Sequence, residues 1–421
     1  MSSLTLIGAH RAVSELLENR PKSWGVVRFK GLLQRLDRRN VDLAYEMLSL
    51  RSSGEVVARA EMGGRQEPDE ASLPRYLVAE IDDLVVNPMW LIGGGIGVSR
   101  RAGAVSPDYR VFRSRGAMLP RFLHHLLRSQ PYLDQYLLYT RAQTTFDRRV
   151  QQPDLNNLPL PVPPLEEQRA IIDYLDREIA CIDTLIEEQQ SLVRLLVERR
   201  VAVMAEPFGH AHPTAPLGSV LEELIDHRGK TPGKVGDKTD DFTDEGVPVV
   251  SAIHIKNGQI SWGERARFVP YWMFEKWMPV RLRAGDVLLT SEAPLGNVAQ
   301  VATDAPLVLS QRLFALRGRE SILDSTYLRF FLESDRGQAL LRDGASGSTV
   351  AGIRQSRLVQ VPVPVPPVDE QRRVTQQIRE QITKIDALMA ETERFVELSK
   401  ERRAALITAA VTGQIDVRKA A

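Results

Sequence analysis

Pro161-Val162-Pro163-Pro164-Leu165-Glu166-Glu167-Gln168-Arg169 returns later in the chain as Pro364-Val365-Pro366-Pro367-Val368-Asp369-Glu370-Gln371-Arg372, with Pro164 falling on Pro367 at an offset of 203 residues. The offset then holds without a gap. Ile179 falls on Ile382, Ile182-Asp183 on Ile385-Asp386, Leu185 on Leu388 and Glu198-Arg199-Arg200 on Glu401-Arg402-Arg403. One unit is used twice. Alternating proline and valine cannot be helical, because each proline removes a donor and drives its predecessor towards extended geometry. A helix therefore begins just beyond, with Glu166, Glu167, Asp369 and Glu370 in the first turns, where carboxylates favour the positive end of the dipole.

Beyond each stop, apolar residues recur at alternating spacings of three and four. The first copy has Ile172, Leu175, Ile179, Ile182 and Ile186, then Gln189, then Val193 and Leu196; the second has Thr375, Ile378, Ile382, Ile385, Met389, Thr392, Val396 and Ser399. This is a heptad seam, and Gln189 and Thr392 interrupt it at one level, which would help to set register. Roughly 40 residues at ~1.5 Å each make a rod on the order of 60 Å. The simplest partner for each rod is the other.

A chain of 421 residues exceeds one ordinary core and predicts two globular units. The 55 basic residues against 54 acidic ones give no global signal for nucleic acid or membrane, although local basic surfaces remain compatible with that balance. Cys181 is the only cysteine, so there is no disulfide framework and no multi-cysteine metal site. Beside Ile182 it reads as a small packed hydrophobe. No apolar run approaches ~18 residues and no charged-then-apolar leader opens the chain, so a cytoplasmic protein without membrane contact is expected.

Along the chain, an amphipathic stretch ending at Arg20-Pro21 predicts a short helix. From Trp24 to about Thr145, β-rich runs (Tyr76–Ile81, Asp83–Val86) alternate with Gly, Pro and Asp signals, and a helical pattern covers Leu119–Tyr139. The second globular stretch shows strands at Val247–Ile255, Asp286–Thr290 and Leu307–Ala315, a helix over Ser325–Leu341 and a Gly/Ser loop at 344–352. The expected domains are 1–150 and 209–358, each followed by a stop and rod (151–208 and 359–421). The expected class is α+β, with two long antiparallel helices forming a coiled coil that separates the globular domains in a pseudo-two-fold repeat.

Several catalytic lookalikes fail on spacing. Gly229-Lys230-Thr231 resembles the end of a phosphate-binding loop, but Leu224 stands where that loop needs glycine. Gly93-Gly94-Gly95-Ile96-Gly97 cannot complete a dinucleotide fingerprint, because position 98 is Val. Asn87-Pro88-Met89-Trp90 is similar to the Asn-Pro-Pro-aromatic loop that holds a flipped adenine, but has Met at the third position and no glycine-rich cofactor loop upstream. The histidines at 10, 124, 125, 210, 212, 227 and 254 show no metal spacing with acids. The chain reads as a binder without a catalytic or metal site.

The doubled stop and rod, each preceded by a globular domain, resembles the DNA-specificity (S) subunit of Type I restriction–modification enzymes. The second domain carries this best, through Val249–Gly258, Gly285–Ala299, Gly347–Ile353 and the ending Ala410–Val417. The first carries it through Asp83–Trp90, Gly103–Phe112 and Thr144-Thr145-Phe146. The resemblance implies two target recognition domains, each reading half of a bipartite site in double-stranded DNA. The rods would space them and dock two modification (methyltransferase) subunits. It implies no cofactor on this chain: S-adenosylmethionine belongs to the modification subunits, and ATP and Mg to restriction subunits where a system has them.

Two readers on one rod meet the same face of DNA only when their half-sites differ by about a helical turn, ~34 Å. Phosphate contacts call for Arg and Lys, and base reading for Arg, Asn, Gln, Ser and Thr in loops. The candidates are Ser99, Arg100, Arg101, Tyr109, Arg110, Arg113 and Arg115 in the first domain, and Arg228, Lys230, Thr231, Lys234, Ser291, Ser348, Thr349 and Arg354 in the second. The competing expectation is a coiled-coil scaffold whose end domains bind proteins.

Overall fold

The computed structural model describes residues 10–63, 69–140, 149–209, 212–227, 229–256, 258–263, 266–346 and 352–417. Arg228, Ser348 and Thr349, and the segments 347–351 and 144–146, lie outside the described residues. The chain forms two compact units, Met1–Gln190 with Arg394–Ala421, and Ser191–Glu393. The long helices, Leu165–Ala205 and Val368–Val411, contribute to both units. Each unit thus holds one globular domain and a stretch of both rods.

In the first unit a four-stranded antiparallel sheet runs in the order Leu33–Leu36, Arg110–Ser114, Leu84–Val86, Ile96–Val98. The helical stretch predicted over Leu119–Tyr139 is two helices, Pro120–Leu127 and Gln130–Tyr139. They part at Ser129, whose hydroxyl donates to Leu126 O before Pro131 begins the next turn. The proline stop is itself a strand, Pro159–Val162, antiparallel to Gly25–Arg28. Proline is tolerated there because a two-stranded ribbon leaves one side of each strand free of ladder bonds. One core unites Trp24, Phe29, Phe122, Tyr132 and Leu160 with Ile171 and Leu175 of the first rod and Ala410 and Val411 of the second. The second rod therefore ends inside the domain that opens the chain.

The second unit repeats this frame. Its sheet order is Leu221–Asp226, Leu313–Gly318, Val287–Thr290, Val298–Gln300, again antiparallel. The proline strand Pro362–Pro364 pairs with Thr214–Pro216. The predicted helix over Ser325–Leu341 is broken at Ser334 into Ser325–Glu333 and Asp335–Asp343, the same interruption as at Ser129. The run expected as one strand, Leu307–Ala315, is Val308–Leu309 and Leu313–Gly318, separated where Arg312 takes a φ of 66°. Each unit carries a second, smaller layer: in the first, Leu48–Leu50 pairs with Val56–Ala58 and Leu77–Ala79 with Gly103–Val105; in the second, Val247–Val250 lies between Phe268–Val269 and Val308–Leu309, backed by the helix Tyr271–Trp277.

Within each unit the rods run antiparallel along the apolar seam. Ile172, Leu175, Ile182, Ile378, Ile382, Ile385, Thr392 and Val396 are buried, and Ile179, Ile186, Gln189, Val193 and Met389 are partly buried. Cys181 departs from its expectation. It is exposed, because Ile182 takes the inward position and its neighbour one residue back points away.

Candidate nucleic-acid interface

Two sets of polar side-chain bonds tie each globular domain together, and both occur twice. Gln168, fully buried in the Glu-Gln-Arg of the first stop, accepts from Leu119 N–H at 2.7 Å and donates to Ala117 O at 3.0 Å and Pro163 O at 2.9 Å. Gln371 accepts from Asp324 N–H at 2.9 Å and donates to Ile322 O and Pro366 O, each at 2.8 Å. A buried amide can hold three backbone groups only when all are satisfied, and these glutamines bolt the stop to the helix that backs the sheet. The second set is a bidentate ion pair. Arg113 grips Asp83 at 2.7 and 2.8 Å, and Arg317 grips Asp286 at 2.8 and 2.7 Å.

This geometry reassigns several of the residues expected at DNA. Arg113 is held by Asp83, whose hydrogen bonds raise the arginine's pKa, so it braces the sheet while its side chain stays half exposed. Ser99 is fully buried and donates to Arg101 O, which removes it from any surface role. Ser291 is buried too; its backbone ties Arg312 O and Ile353 N–H together. Lys230 donates from Nζ to Trp277 O at 2.8 Å and its pKa is lowered by burial, so it tethers its loop. Thr231 is half-buried at the start of the turn Pro232–Val235, and Tyr109 is half-buried against the small core of Leu48, Val85 and Val111. Arg100, Arg101, Arg115, Lys234 and Arg354 are exposed. Arg101 lies 3.4 Å from Glu61.

Each unit also has a cleft where its sheet loops face the rods. In the first unit this cleft is about 680 Å³, lined by Gly54, Arg100, His124, His125, Arg128 and Arg403 among others. Gly54 has a φ of +87°, and a Cβ there would strike Arg128 and His124, so only glycine lets the loop close over them. Burial, and then the neighbouring His125 and arginines, push His124 down to about 3; burial and Arg121 push His125 down to about 4. Both rings are neutral at pH 7. The corresponding cleft in the second unit is about 410 Å³, with Arg200, Lys256, Gly258 and Glu333 on its walls. Here burial raises Glu333 and lowers the adjacent Arg329.

Arg110 is the most unusual of the expected residues. It is only 9% exposed, its Nη1 has no hydrogen-bond partner among the described residues, and burial lowers its pKa to about 10, with Arg35 and Arg149 adding to the effect. Nothing local in the sequence marks Arg35 or Arg149 as candidates. They meet Arg110 only through sheet pairing and the return of the chain at Val150, whose N–H donates to Pro88 O.

Among the described residues no group of three or more His, Cys, Asp or Glu side chains could hold a metal, and no helix is long and apolar enough to cross a membrane. The family model for the Type I restriction modification DNA specificity domain matches residues 109–194 and 217–397, more than half of the chain. Among curated relatives, the Type I restriction enzyme MjaVIII specificity subunit of Methanocaldococcus jannaschii is 23% identical over 305 residues, covering 68% of this chain and 69% of the relative. The EcoBI specificity subunit of Escherichia coli is 19% identical over 316 residues, covering 70% and 65%. The HsdS subunit from Thermoanaerobacter tengcongensis is similar in fold, with a TM-score of 0.60 at 20% identity over 94% of this chain and 98% of that one. A chain solved in work on complex assembly and conformational transition of the type I R-M system gives a TM-score of 0.69 at 21% identity, covering 94% of this chain and 100% of that one. The matched residues include both bolted glutamines and most of both rods, and the chain belongs to the Type I restriction modification DNA specificity family.

Proposed function

We propose that this chain is the non-catalytic recognition subunit of a cytoplasmic Type I system, reading a bipartite DNA target with one half-site per globular domain. It directs adenine methylation by two modification subunits that carry S-adenosylmethionine, and restriction by ATP- and Mg-dependent subunits where these are present. The observation that carries this reading is one platform built twice with different surfaces. The sheet order, the Asp–Arg brace and the buried glutamine are shared, whereas Arg110 and His124 of the first unit correspond to Phe314 and Arg329 of the second. A duplicated reader with divergent faces suits a target whose halves differ in sequence.

Gel-shift titration of the chain assembled with its methyltransferase partner tests the proposal, using genomic fragments that contain the adenines methylated in the host. Retention of those fragments at least 1,000-fold tighter than of scrambled controls is expected, on the order of specific-to-non-specific ratios. Equal retention of every fragment would overturn it.

A further inference from the structure

The sheet of the first unit holds a cationic cluster that its own fold does not require. Arg35 and Arg110 lie on neighbouring strands, Arg35 opposite Phe112 and Arg110 opposite Val86. In the second unit the Asp–Arg brace aligns Arg113 with Arg317, which puts Phe314 at the place of Arg110 and Leu224, opposite Leu316, at the place of Arg35. Phe314 is fully buried, and Leu224 packs against the same core. A framework that accepts Phe and Leu at these positions has no structural need for two arginines.

Among the described residues their cost is also uncompensated. A buried cation is expected to be paired and hydrogen-bonded. Among the described residues, neither the Arg35 nor the Arg110 guanidinium has an ion-pair partner, and Arg110 Nη1 is buried with no acceptor. The third member, Arg149, touches Met89 Sδ at 3.4 Å and, among the described residues, approaches a carboxylate only at Asp108, 3.9 Å away and largely exposed. The charges of Arg35 and Arg149 both bear on Arg110, and among the described residues the one acid near the three is Asp108 beside Arg149. An oxyanion with several acceptor oxygens would satisfy all three, since guanidinium groups present forked donors that match phosphate. Arg35 is exposed and Arg149 partly so, which leaves donors that an incoming group can reach.

We infer that Arg35, Arg110 and Arg149 form a cradle for a backbone phosphodiester of the DNA bound by the first unit, a phosphate site with no counterpart in the second. This rests on the DNA-recognition reading above and assigns the cluster to positioning the duplex instead of reading bases. The test uses the chain assembled with its modification partner and measures DNA affinity against salt concentration for wild type, Arg149→Gln and the double variant Arg35→Leu with Arg110→Phe, which installs the residues the second unit tolerates. The double variant should fold, shown by an unchanged melting profile. Its plot of log affinity against log salt should be shallower by about 0.9, the value for one phosphate that the protein no longer neutralises. Cognate and non-cognate fragments should weaken by the same factor, about tenfold, and Arg149→Gln should move both readings in the same direction.

An unchanged slope in a folded double variant, with wild type still binding its target, overturns the cradle and leaves the recognition reading intact. A change of preference at one base pair also overturns it, because it would make the cluster a base reader. Absence of any sequence-specific retention by wild type removes both. A parallel melt of the full chain with inorganic phosphate separates the sources of the anion: stabilisation that disappears in the double variant, together with an unchanged salt slope, would make this a free-anion site and sink the DNA assignment.

Discussion

Asp183 of the first long helix pairs with Arg403 of the second at 3.2 Å, and the residues equivalent to them by the 203-residue offset, Asp386 and Arg200, make the same pair at 3.1 Å. The repeat therefore extends from sequence to individual side-chain pairs: each unit closes its rods with one copy of one ion pair. All four side chains are at least a quarter exposed, so the pairs specify register more than they stabilise. Asp183→Ala with Asp386→Ala should lower stability by less than about 1 kcal/mol per pair. Asp183→Arg should cost more by like-charge repulsion, and adding Arg403→Asp should restore it. Denaturant midpoints for the singles and the double swap give the coupling directly, and no rescue by the swap would refute a register role.

The glutamine bolts are a different matter, because they are buried. Gln168→Leu leaves Leu119 N–H and the carbonyls of Ala117 and Pro163 without partners, and Gln371→Leu does the same to Asp324 N–H, Ile322 O and Pro366 O. Each orphaned buried group costs about 1–3 kcal/mol. Either variant should thus lose more than the ion-pair variants, and hydrogen exchange at the orphaned amide should rise in the altered unit.

The rods and their apolar seam are legible in the sequence because a heptad is a local, periodic signal, repeated here at a constant offset. The glutamines are visible within that repeat, but not their role, since Gln168 meets Leu119 across 49 residues of chain. The Asp83–Arg113 and Asp286–Arg317 braces are hidden for the same reason, their partners being 30 and 31 residues apart, each aspartate just before one strand and its arginine on the neighbouring one. Polar candidates such as Ser99 and Ser291 read as loop hydroxyls, whereas sheet closure buries both. A composition near neutrality gives no hint that three arginines converge around position 110.

Acid should weaken the first unit through its cleft. His124 and His125 are held at about 3 and about 4 in the folded protein, below the ordinary 6.5, mainly by burial. As pH falls below about 6.5 the unfolded chain takes up these protons first, so stability present above that pH is lost as pH drops towards about 4 for His125 and about 3 for His124. Each histidine contributes at most about 1.4 kcal/mol per pH unit, or about 2 kcal/mol by pH 5. His125→Phe, the residue the second unit carries at the corresponding Phe330, should flatten this dependence. Denaturant midpoints between pH 7 and 5 should fall less in the variant than in wild type, and parallel curves would show that the ring is not the group being charged.

The seam itself is best tested by a charge. Ile182 and Ile385 are 5% and 7% exposed and equivalent under the repeat, Ile182 one residue before the Asp183 pair and Ile385 one before the Asp386 pair. Aspartate at either site must leave a carboxylate among apolar side chains or protonate it, and burying an unpaired charge is far costlier than losing the isoleucine's packing alone. Ile182→Ala and Ile385→Ala should each lose about 2–5 kcal/mol and still sediment as a folded chain. The aspartate variants should separate the rods, giving a smaller sedimentation coefficient and faster proteolysis within 165–205 and 368–411. Because the rods contribute to the cores of both units, one aspartate should destabilise the unit that contains it first, and a second at the equivalent site should extend the loss to the other. Sedimentation unchanged from wild type in the double aspartate variant would show that rod pairing does not depend on this seam.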